Sequence, residues 1–322
     1  MIPTNWLLEA KQRIAPYIHI TPLTYDPDQD IYFKWENRQI TGSFKARGAI
    51  NKILSLEAWE QALGLVTASA GNHGQGVALA GKIVSAPVIV FASEHAVPEK
   101  VQAMRRLGAE VRLVPGGYGE AEMAALDYSR SHQATWISPY NDGQVIAGQG
   151  TLALEVIDQN PALINAVWVV PVGGGGLISG VGSALKFLSP SSRLIGVQSD
   201  ASPFFYHIFY KATQVGVLEL PSLADGLAGP VETNSVTISL VKQTVEGICL
   251  VSEADIESAI AFAWQKYGER IEGSGAVSLA AVLTGKILDR PAVVVISGGN
   301  IQSQVHDHIL QKGARNLPHP EN

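Results

Sequence analysis

The sequence predicts an α/β protein with two lobes and twisted, mostly parallel sheets flanked by helices. The chain has 322 residues, which exceeds the size of a single small core. Short apolar runs alternate with amphipathic helical patterns, as they do in βαβ units. Hydrophobic residues make up 46% of the chain and charged residues 16%, so a large core can be buried.

The first half of the chain contains one alternating series of strands and helices. We expect a helix and a linking turn before Leu23, and a short strand at 31–34. Pro98 supports the start of one later helix, because proline fits the first helical turn. The strands that follow are expected at 63–69, 87–92, 109–114 and 135–138, and the helices at 72–84, 98–107, 119–132 and 143–158.

The second half repeats the alternation after one uncharged apolar stretch. Residues 166–185 have the length of a membrane span, but Pro171 and the glycines at 173–176 would break a helix there. We therefore expect a strand, a loop and a helix. Residues 201–246 show a less regular pattern. Strands are expected at 166–172, 193–197, 248–251 and 291–296, and helices at 177–187, 252–267, 274–287 and 301–311.

Charge and cysteine usage narrow the classes of partner and compartment. The net charge of -6 provides no field for binding phosphate backbones, so we expect no nucleic-acid partner. The single cysteine, Cys249, excludes an intrachain disulfide and is typical of a reducing compartment. Acidic Glu9 precedes any long apolar run, unlike in a secretory signal. We expect a cytoplasmic protein that does not enter membranes and acts on small molecules.

The stretch from Thr41 to Ala49 places a lysine in an unusual setting. Gly42 and Gly48 bracket Lys45, Phe44 precedes it, and an apolar helical pattern follows. Lysine is rarely buried unless it is paired or functional. We predict that the amine leaves the start of a packed helix and points toward a cavity.

Two loops lie between a predicted strand and a predicted helix, where backbone N–H groups can bind an anion. One contains Gly173, Gly174, Gly175 and Gly176, and it has neither a Walker lysine nor a good Rossmann spacing. This run of glycines predicts a phosphate-binding loop, although a turn that binds no ligand can also require glycine where φ is positive. The other loop contains Ser69, Ala70, Gly71, Asn72 and His73, in which Ser69 or Asn72 could simply cap the helix.

Two further motifs lie near the C-terminal end. Ser297-Gly298-Gly299-Asn300 follows the last buried strand, and Glu272-Gly273-Ser274-Gly275 precedes a predicted helix. The serine motif could serve only as a strand-to-helix turn with a capping side chain, and the glutamate motif could serve only as a helix start.

The ordered set of motifs resembles the fold type II pyridoxal-phosphate enzymes, the tryptophan synthase β family, and within it the threonine/serine dehydratase and serine racemase branch. The resemblance covers nearly the whole chain and implies that Lys45 forms a Schiff base with pyridoxal 5'-phosphate. It gives Glu272 a supporting role, with glycine replacing the family's proline after it. The implied cofactor-binding residues are Phe44, Lys45, Asn72, Gly173, Gly174, Gly175, Gly176 and Ser297. The implied substrate-binding residues are Ser69, Ala70, Gly71, Asn72 and His73.

The resemblance also implies a domain organisation. The large cofactor-binding lobe would comprise residues 1–53 and 144–322. Residues 54–143 would form the small substrate-side lobe, which is inserted into the large one. No C-terminal regulatory domain is expected, and the family implies a homodimer.

Ala70 distinguishes between two reactions of this branch. Serine racemases of the family have at this position a serine that transfers a proton, which alanine cannot do. The resemblance therefore implies β-elimination from L-threonine or L-serine, giving a 2-oxo acid and ammonia, with Lys45 removing the Cα proton. The alternatives are a serine racemase, a dehydratase of another β-hydroxy amino acid, a threonine synthase, an inactive ligand-binding relative, or a nucleotide-binding enzyme.

We expect no metal site. The metal-dependent racemases have a glutamate where this chain has Gln198, and a neutral amide is a poor ligand for Mg²⁺ or Ca²⁺. His306, Asp307 and His308 are expected to be surface side chains, because residues two apart on a helix point to different faces.

Overall fold

Two sheets organise the part of the chain that the structure, a computed structural model, describes, which is residues 1–315. The first sheet has six strands in the order β1-β2-β10-β7-β8-β9 and the second has four in the order β5-β4-β3-β6. The strands are β1 (Leu23–Asp26), β2 (Ile31–Trp35), β3 (Leu65–Ala68), β4 (Val88–Ser93), β5 (Glu110–Val114), β6 (Thr135–Trp136), β7 (Val167–Pro171), β8 (Arg193–Ser199), β9 (Gly247–Val251) and β10 (Ala292–Ile296).

All neighbouring strands are parallel except β1 and β2, which confirms the predicted mostly parallel α/β class. Every residue of β7 and β10 is buried, as expected for apolar strands with helices on both faces. The four-stranded sheet is formed entirely between β2 and β7 in the sequence. The lobe boundaries at residues 54 and 143 stay a prediction.

Thirteen α-helices flank the sheets within residues 1–315. None of them is long and apolar enough to cross a membrane. A 3₁₀ turn at Asp225–Leu227 also contributes to the candidate active site described below. The helices are α1 (Thr4–Ile14), α2 (Lys45–Leu54), α3 (Ala58–Ala62), α4 (Asn72–Val84), α5 (Pro98–Arg106), α6 (Tyr118–His132), α7 (Gly143–Gln159), α8 (Gly176–Leu188), α9 (Phe204–Lys211), α10 (Val236–Thr244), α11 (Glu253–Tyr267), α12 (Gly273–Leu283) and α13 (Ser303–Arg315).

Helices α2 and α8 both pack on α7 through glycines. A Cβ atom at Gly148 would lie 2.7 Å from the Cα of Gly48, and a Cβ at Gly150 would lie 2.7 Å from the carbonyl oxygen of Gly180. No side chain fits at these two crossings. Backbone contacts therefore set the spacing between the helix that begins at Lys45 and the helix that begins at Gly176.

A buried ion cluster fixes the first turns of α2. The Arg47 guanidinium donates to both oxygens of Glu36 and both oxygens of Glu155, at distances from 2.8 to 3.0 Å. Lys34 donates to Glu155 at 2.6 Å. Burial alone would raise the pKa of Glu155, but the two cations outweigh this effect and lower that pKa. Two positive and two negative charges therefore balance beside Lys45.

Four elements were not predicted, and one of them is the short helix α3. Strand β1 is a four-residue edge strand whose one buried side chain, Asp26, is polar. Helix α9 is rich in aromatic residues and α10 in β-branched residues, and neither composition favours a helix. Tertiary contacts compensate, because Phe205 and Val241 are wholly buried in the core.

One surface prediction was wrong. His306 is buried and packs edge-on against Trp264, with ring centroids 5.2 Å apart. Asp307 and His308 are exposed as expected. The different faces were predicted correctly, but one of these faces of α13 is turned toward the protein.

Candidate active site

The Lys45 motif and the C-terminal serine motif lie side by side. The Phe44 N–H donates to the Ser297 carbonyl at 3.0 Å, and Ser43 and Gly298 form an isolated antiparallel bridge. The Gly299 N–H donates to the Gly42 carbonyl at 2.9 Å. Residues that are far apart in the sequence thus join Lys45 to the carboxyl end of β10, the edge at which parallel α/β sheets bind ligands.

The Lys45 amine reaches the segment that follows β6. Its Nζ donates to the Pro139 carbonyl at 2.8 Å and lies 5.3 Å from the centroid of the Phe44 ring. The side chain is partly accessible from solvent, but the surrounding protein atoms lower the pKa of Lys45 to about 8, an effect that the nearby Glu272 opposes. A substantial fraction of the amine is therefore neutral near this pH, as a nucleophile or base requires.

The Asn72 side chain is held from both ends. Its Nδ2 donates to Glu272 Oε1 at 2.6 Å, and its Oδ1 accepts from Asn300 Nδ2 at 2.7 Å. Asn300 also donates to the Thr41 carbonyl at 2.9 Å. Burial, reinforced by Asp225, raises the pKa of Glu272 to about 7. The asparagine loop, the lysine motif and both C-terminal motifs therefore meet in one hydrogen-bonded network.

The rest of the asparagine loop presents backbone donors. The Gly71 N–H donates to Ser69 Oγ at 3.1 Å, while the N–H groups of Ala70, Asn72 and His73 have no partner within residues 1–315. His73 is buried beside the Ile137 carbonyl, 3.1 Å from Nε2. Burial and the charge of Lys45 lower the pKa of His73 to about 3, so its imidazole is neutral.

The glycine loop connects β7 to α8. Within the described residues, the backbone N–H groups of Gly173, Gly174, Gly175 and Gly176 have no hydrogen-bond partner. Gly175 has a φ of +86°, and a Cβ at Gly174 would lie 2.5 Å from the ring of Tyr140. Four free donors at the start of a buried helix form a site for a phosphate group.

Comparison with known families accounts for this arrangement. A family model described as pyridoxal-phosphate dependent enzyme matches residues 9–298. The chain belongs to this family. It is therefore an enzyme whose cofactor is pyridoxal phosphate, and the fold type II assignment is confirmed.

Individual members of the family align over most of the chain. An L-threonine ammonia-lyase of Thermotoga maritima is 41% identical over 320 residues, which are 97% of this chain and 79% of that protein. Maize serine racemase superposes with a TM-score of 0.89 at 29% identity and covers 97% of both chains. The processed threonine deaminase isoform 2 of Solanum lycopersicum has a TM-score of 0.85 at 30% identity, with 96% of this chain and 94% of that one covered.

The groups present in this family member fit pyridoxal phosphate. The four glycine N–H groups suit the phosphate, and a Cβ would fill the loop at Gly174. The amine of Lys45 suits an aldehyde, since neutral amines form imines with carbonyl groups. Ser297 is buried and contributes a neutral hydroxyl, which now donates to the Ser274 carbonyl at a long 3.3 Å.

Sequence reasoning missed two parts of the site. Tyr140 packs against the glycine loop, and its hydroxyl accepts from the Glu232 N–H at 3.0 Å. Lys100 and Asp225 form an ion pair at the cleft, 2.9 Å apart. Neither lies in a spaced motif, so no sequence signal marked Tyr140 or Lys100. Asp225 was not missed entirely, because the stretch Ala224-Asp225-Gly226-Leu227-Ala228-Gly229 resembles a family loop near the cofactor.

Gln198 lies at the end of β8. Its Oε1 accepts from the Tyr206 N–H at 3.0 Å and so satisfies a donor at the start of α9. Among residues 1–315, no three acidic, histidine or cysteine side chains are grouped as a metal ion would require. The expectation that the chain needs no divalent metal stays a prediction.

Proposed function

We propose that this enzyme is an ammonia-lyase that converts L-threonine, and also L-serine, to a 2-oxo acid and ammonia. The observation that carries the proposal is the position of Lys45, whose amine has a lowered pKa, while position 70 offers no second proton-transfer group. Ala70 has no transferable proton, and His73 is neutral and turned toward Ile137. The names of relatives, among them an L-threonine ammonia-lyase and a threonine deaminase, support the substrate class.

The cofactor-holding roles follow the contacts of the site. We assign Lys45 to the cofactor aldehyde, Phe44 and Asn72 to its ring, and Ser297 to its ring nitrogen. The N–H groups of Gly173, Gly174, Gly175 and Gly176 bind its phosphate. When bound, pyridoxal phosphate supplies an electron sink that stabilises negative charge at the substrate Cα. A neutral serine hydroxyl does not hold the ring nitrogen protonated, which favours elimination over transamination.

The substrate-holding roles belong to the asparagine loop. The free N–H groups of Ala70, Asn72 and His73 bind the substrate carboxylate, with Ser69 and Gly71 shaping the turn. The neutral form of Lys45 then takes the Cα proton. Its lowered pKa provides this form near pH 8, whereas a solvated lysine would be almost wholly protonated there.

Replacement of Lys45 tests this assignment. The Lys45→Ala variant should fold, lose the imine absorbance of the bound cofactor and form no 2-oxo acid from L-threonine. Lys82→Ala, an exposed lysine on α4, is the matched control and should keep both signals. Production of 2-oxo acid and ammonia by Lys45→Ala would refute the assignment.

Racemisation of serine is the second candidate, because the superposition with maize serine racemase is close. A panel of L-serine, D-serine, L-threonine and bulkier β-hydroxy amino acids separates the two reactions. Ammonia release from L-threonine without D-serine formation supports the lyase. D-serine formation without ammonia would reverse the conclusion drawn from Ala70.

We further propose that the enzyme acts in the cytoplasm as a homodimer, with residues 54–143 forming the smaller lobe. The single cysteine, Cys249, supports a reducing compartment. The placement of β3 to β6 between β2 and β7 supports the lobe assignment. Size-exclusion chromatography with light scattering tests the dimer, and a monomer at working concentration would contradict it.

A further inference from the structure

An ion pair joins elements that pack on the two different sheets. Lys100 on α5 donates to Asp225 Oδ2 at 2.9 Å. Lys100 retains 16% of its side-chain accessibility, and Asp225 retains 59%. Helix α5 packs with β5 of the four-stranded sheet, whereas the turn at Asp225–Leu227 contacts α12 beside the six-stranded sheet. The pair is therefore a direct charged link between the two layers.

Both members of the pair lie next to elements of the candidate active site. A Cβ atom at Gly71 would lie 3.6 Å from Lys100 Cδ and 3.8 Å from Lys100 Nζ, so this side chain covers the asparagine loop. On the other side, Gly226 directly follows Asp225, and its N–H donates to Ser274 Oγ at 2.9 Å. Ser274 lies two residues after Glu272. The pair thus connects the loop that contains Asn72 to the segment that contains its carboxylate partner.

Three charged side chains act electrostatically on Glu272 or are acted on by it. These are Asp225 from the 3₁₀ turn, Lys100 from α5 and Lys45 from α2. Burial raises the pKa of Glu272 to about 7, Asp225 raises it further, and Lys100 opposes the rise. The two members of the ion pair therefore act on the carboxyl group in opposite directions.

The protonation of Glu272 determines what Asn72 can do. As a carboxylate, Glu272 Oε1 accepts from Asn72 Nδ2, and Asn300 fixes the other end of the amide. A protonated carboxyl group accepts more weakly, so one of the two contacts that fix the orientation of the Asn72 amide is weakened.

We propose that Lys100 and Asp225 are positioning residues, which hold the asparagine loop against the start of α12 and act in opposite directions on the charge of Glu272, the carboxyl group that orients Asn72. Lys100 offsets the repulsion between Asp225 and Glu272 while it is paired with Asp225. The effect on turnover rests on the proposed function. The charge relation, by which we mean the opposite effects of Lys100 and Asp225 on the charge of Glu272, does not.

Direct titration of Glu272 in the full-length, cofactor-bound protein tests the charge relation. The carboxyl carbon of glutamate is labelled with ¹³C, and Glu272→Gln identifies its NMR signal. We expect a midpoint near 7 in the wild type, above 7 in Lys100→Met and below 7 in Asp225→Asn. The double variant should return toward the wild type, and Lys100→Arg, which keeps the charge, should remain near it. Shifts in the same direction in both single variants, or no shift in either, would overturn the proposal.

The pH profile of kcat/KM for L-threonine tests the link to turnover. Its acidic limb should move to higher pH in Lys100→Met and to lower pH in Asp225→Asn. A pair with only a mechanical role would lower activity in both variants without moving the limb, and this result would reject the proposal. If the wild type does not deaminate threonine, the proposed function fails while the NMR titration still decides the charge relation. If Lys100→Met does not fold, Lys100→Gln replaces it.

Discussion

Removal of Arg47 should strongly destabilise the protein, and the loss should depend on pH. Arg47→Met deletes four contacts of 2.8 to 3.0 Å and leaves Glu36 and Glu155 with Lys34 as the remaining cation of the cluster. Arg47, Glu36 and Lys34 are wholly buried, and Glu155 nearly so. Breaking a buried ion pair from one side costs about 3–5 kcal/mol, because an uncompensated charge stays in the interior.

The sign of the pH dependence follows from Glu155. In the wild type its pKa is lowered, so its contribution to stability is present above the ordinary value near 4.5 and is lost only as the pH falls below it. Without Arg47, burial should raise this pKa, and protonation at mildly acidic pH then relieves the unpaired charge. The loss of stability should therefore be smaller near pH 5.5 than near pH 8.

Urea unfolding of the wild type and Arg47→Met at both pH values measures this difference. Arg47→Lys is the matched control, since it keeps the charge but cannot form the two-pronged contacts. It should lose less stability, with little dependence on pH. A loss in Arg47→Met that is under about 1 kcal/mol, or equal at both pH values, would refute the view that unpaired charge dominates.

Two further predictions concern the site. Gly174→Ala places a methyl group 2.5 Å from the Tyr140 ring, and the overpacking of about 1–3 kcal/mol should weaken cofactor binding roughly tenfold to hundredfold. Spectroscopic titration with the cofactor measures this affinity. An unchanged affinity would contradict the assignment of the glycine loop to the cofactor phosphate. The raised pKa of Glu272 means that the wild type should lose about 3 kcal/mol of stability as the pH rises from 4.5 through 7. Glu272→Gln should lack this loss, and parallel unfolding curves would show that the carboxyl group does not titrate in this range.

The sequence predicted most of the sheet because its strands are apolar on both faces. β7 and β10 are wholly buried runs, and such runs stand out from their neighbours. The elements that depend on distant contacts were missed, such as α9, whose start is completed by Gln198 from β8. Local pattern contains no information about such partners.

The same division applies to the site. Lys45, Asn72 and the glycine loop lie in local motifs, and the structure joins the motifs that contain Lys45, Asn72, Ser297 and Glu272 by hydrogen bonds. Glu272 was expected only to support the site, because nothing near it in the sequence predicts its bond to Asn72. Lys100 could not be found at all, since a single lysine on an amphipathic helix is indistinguishable from a solvated one.

The glycine crossings of α2, α7 and α8 limit how this enzyme can change. Gly48 meets Gly148, and Gly150 meets Gly180, with no side chain between the backbones. Many apolar core substitutions can be accommodated by repacking, but a methyl group added at Gly148, Gly150 or Gly180 would meet backbone atoms of the neighbouring helix. The distance between the Lys45 amine and the glycine loop should therefore change little when apolar residues of the surrounding core are substituted during evolution. Selection for new substrates should leave these four positions fixed and alter the loops that line the cleft.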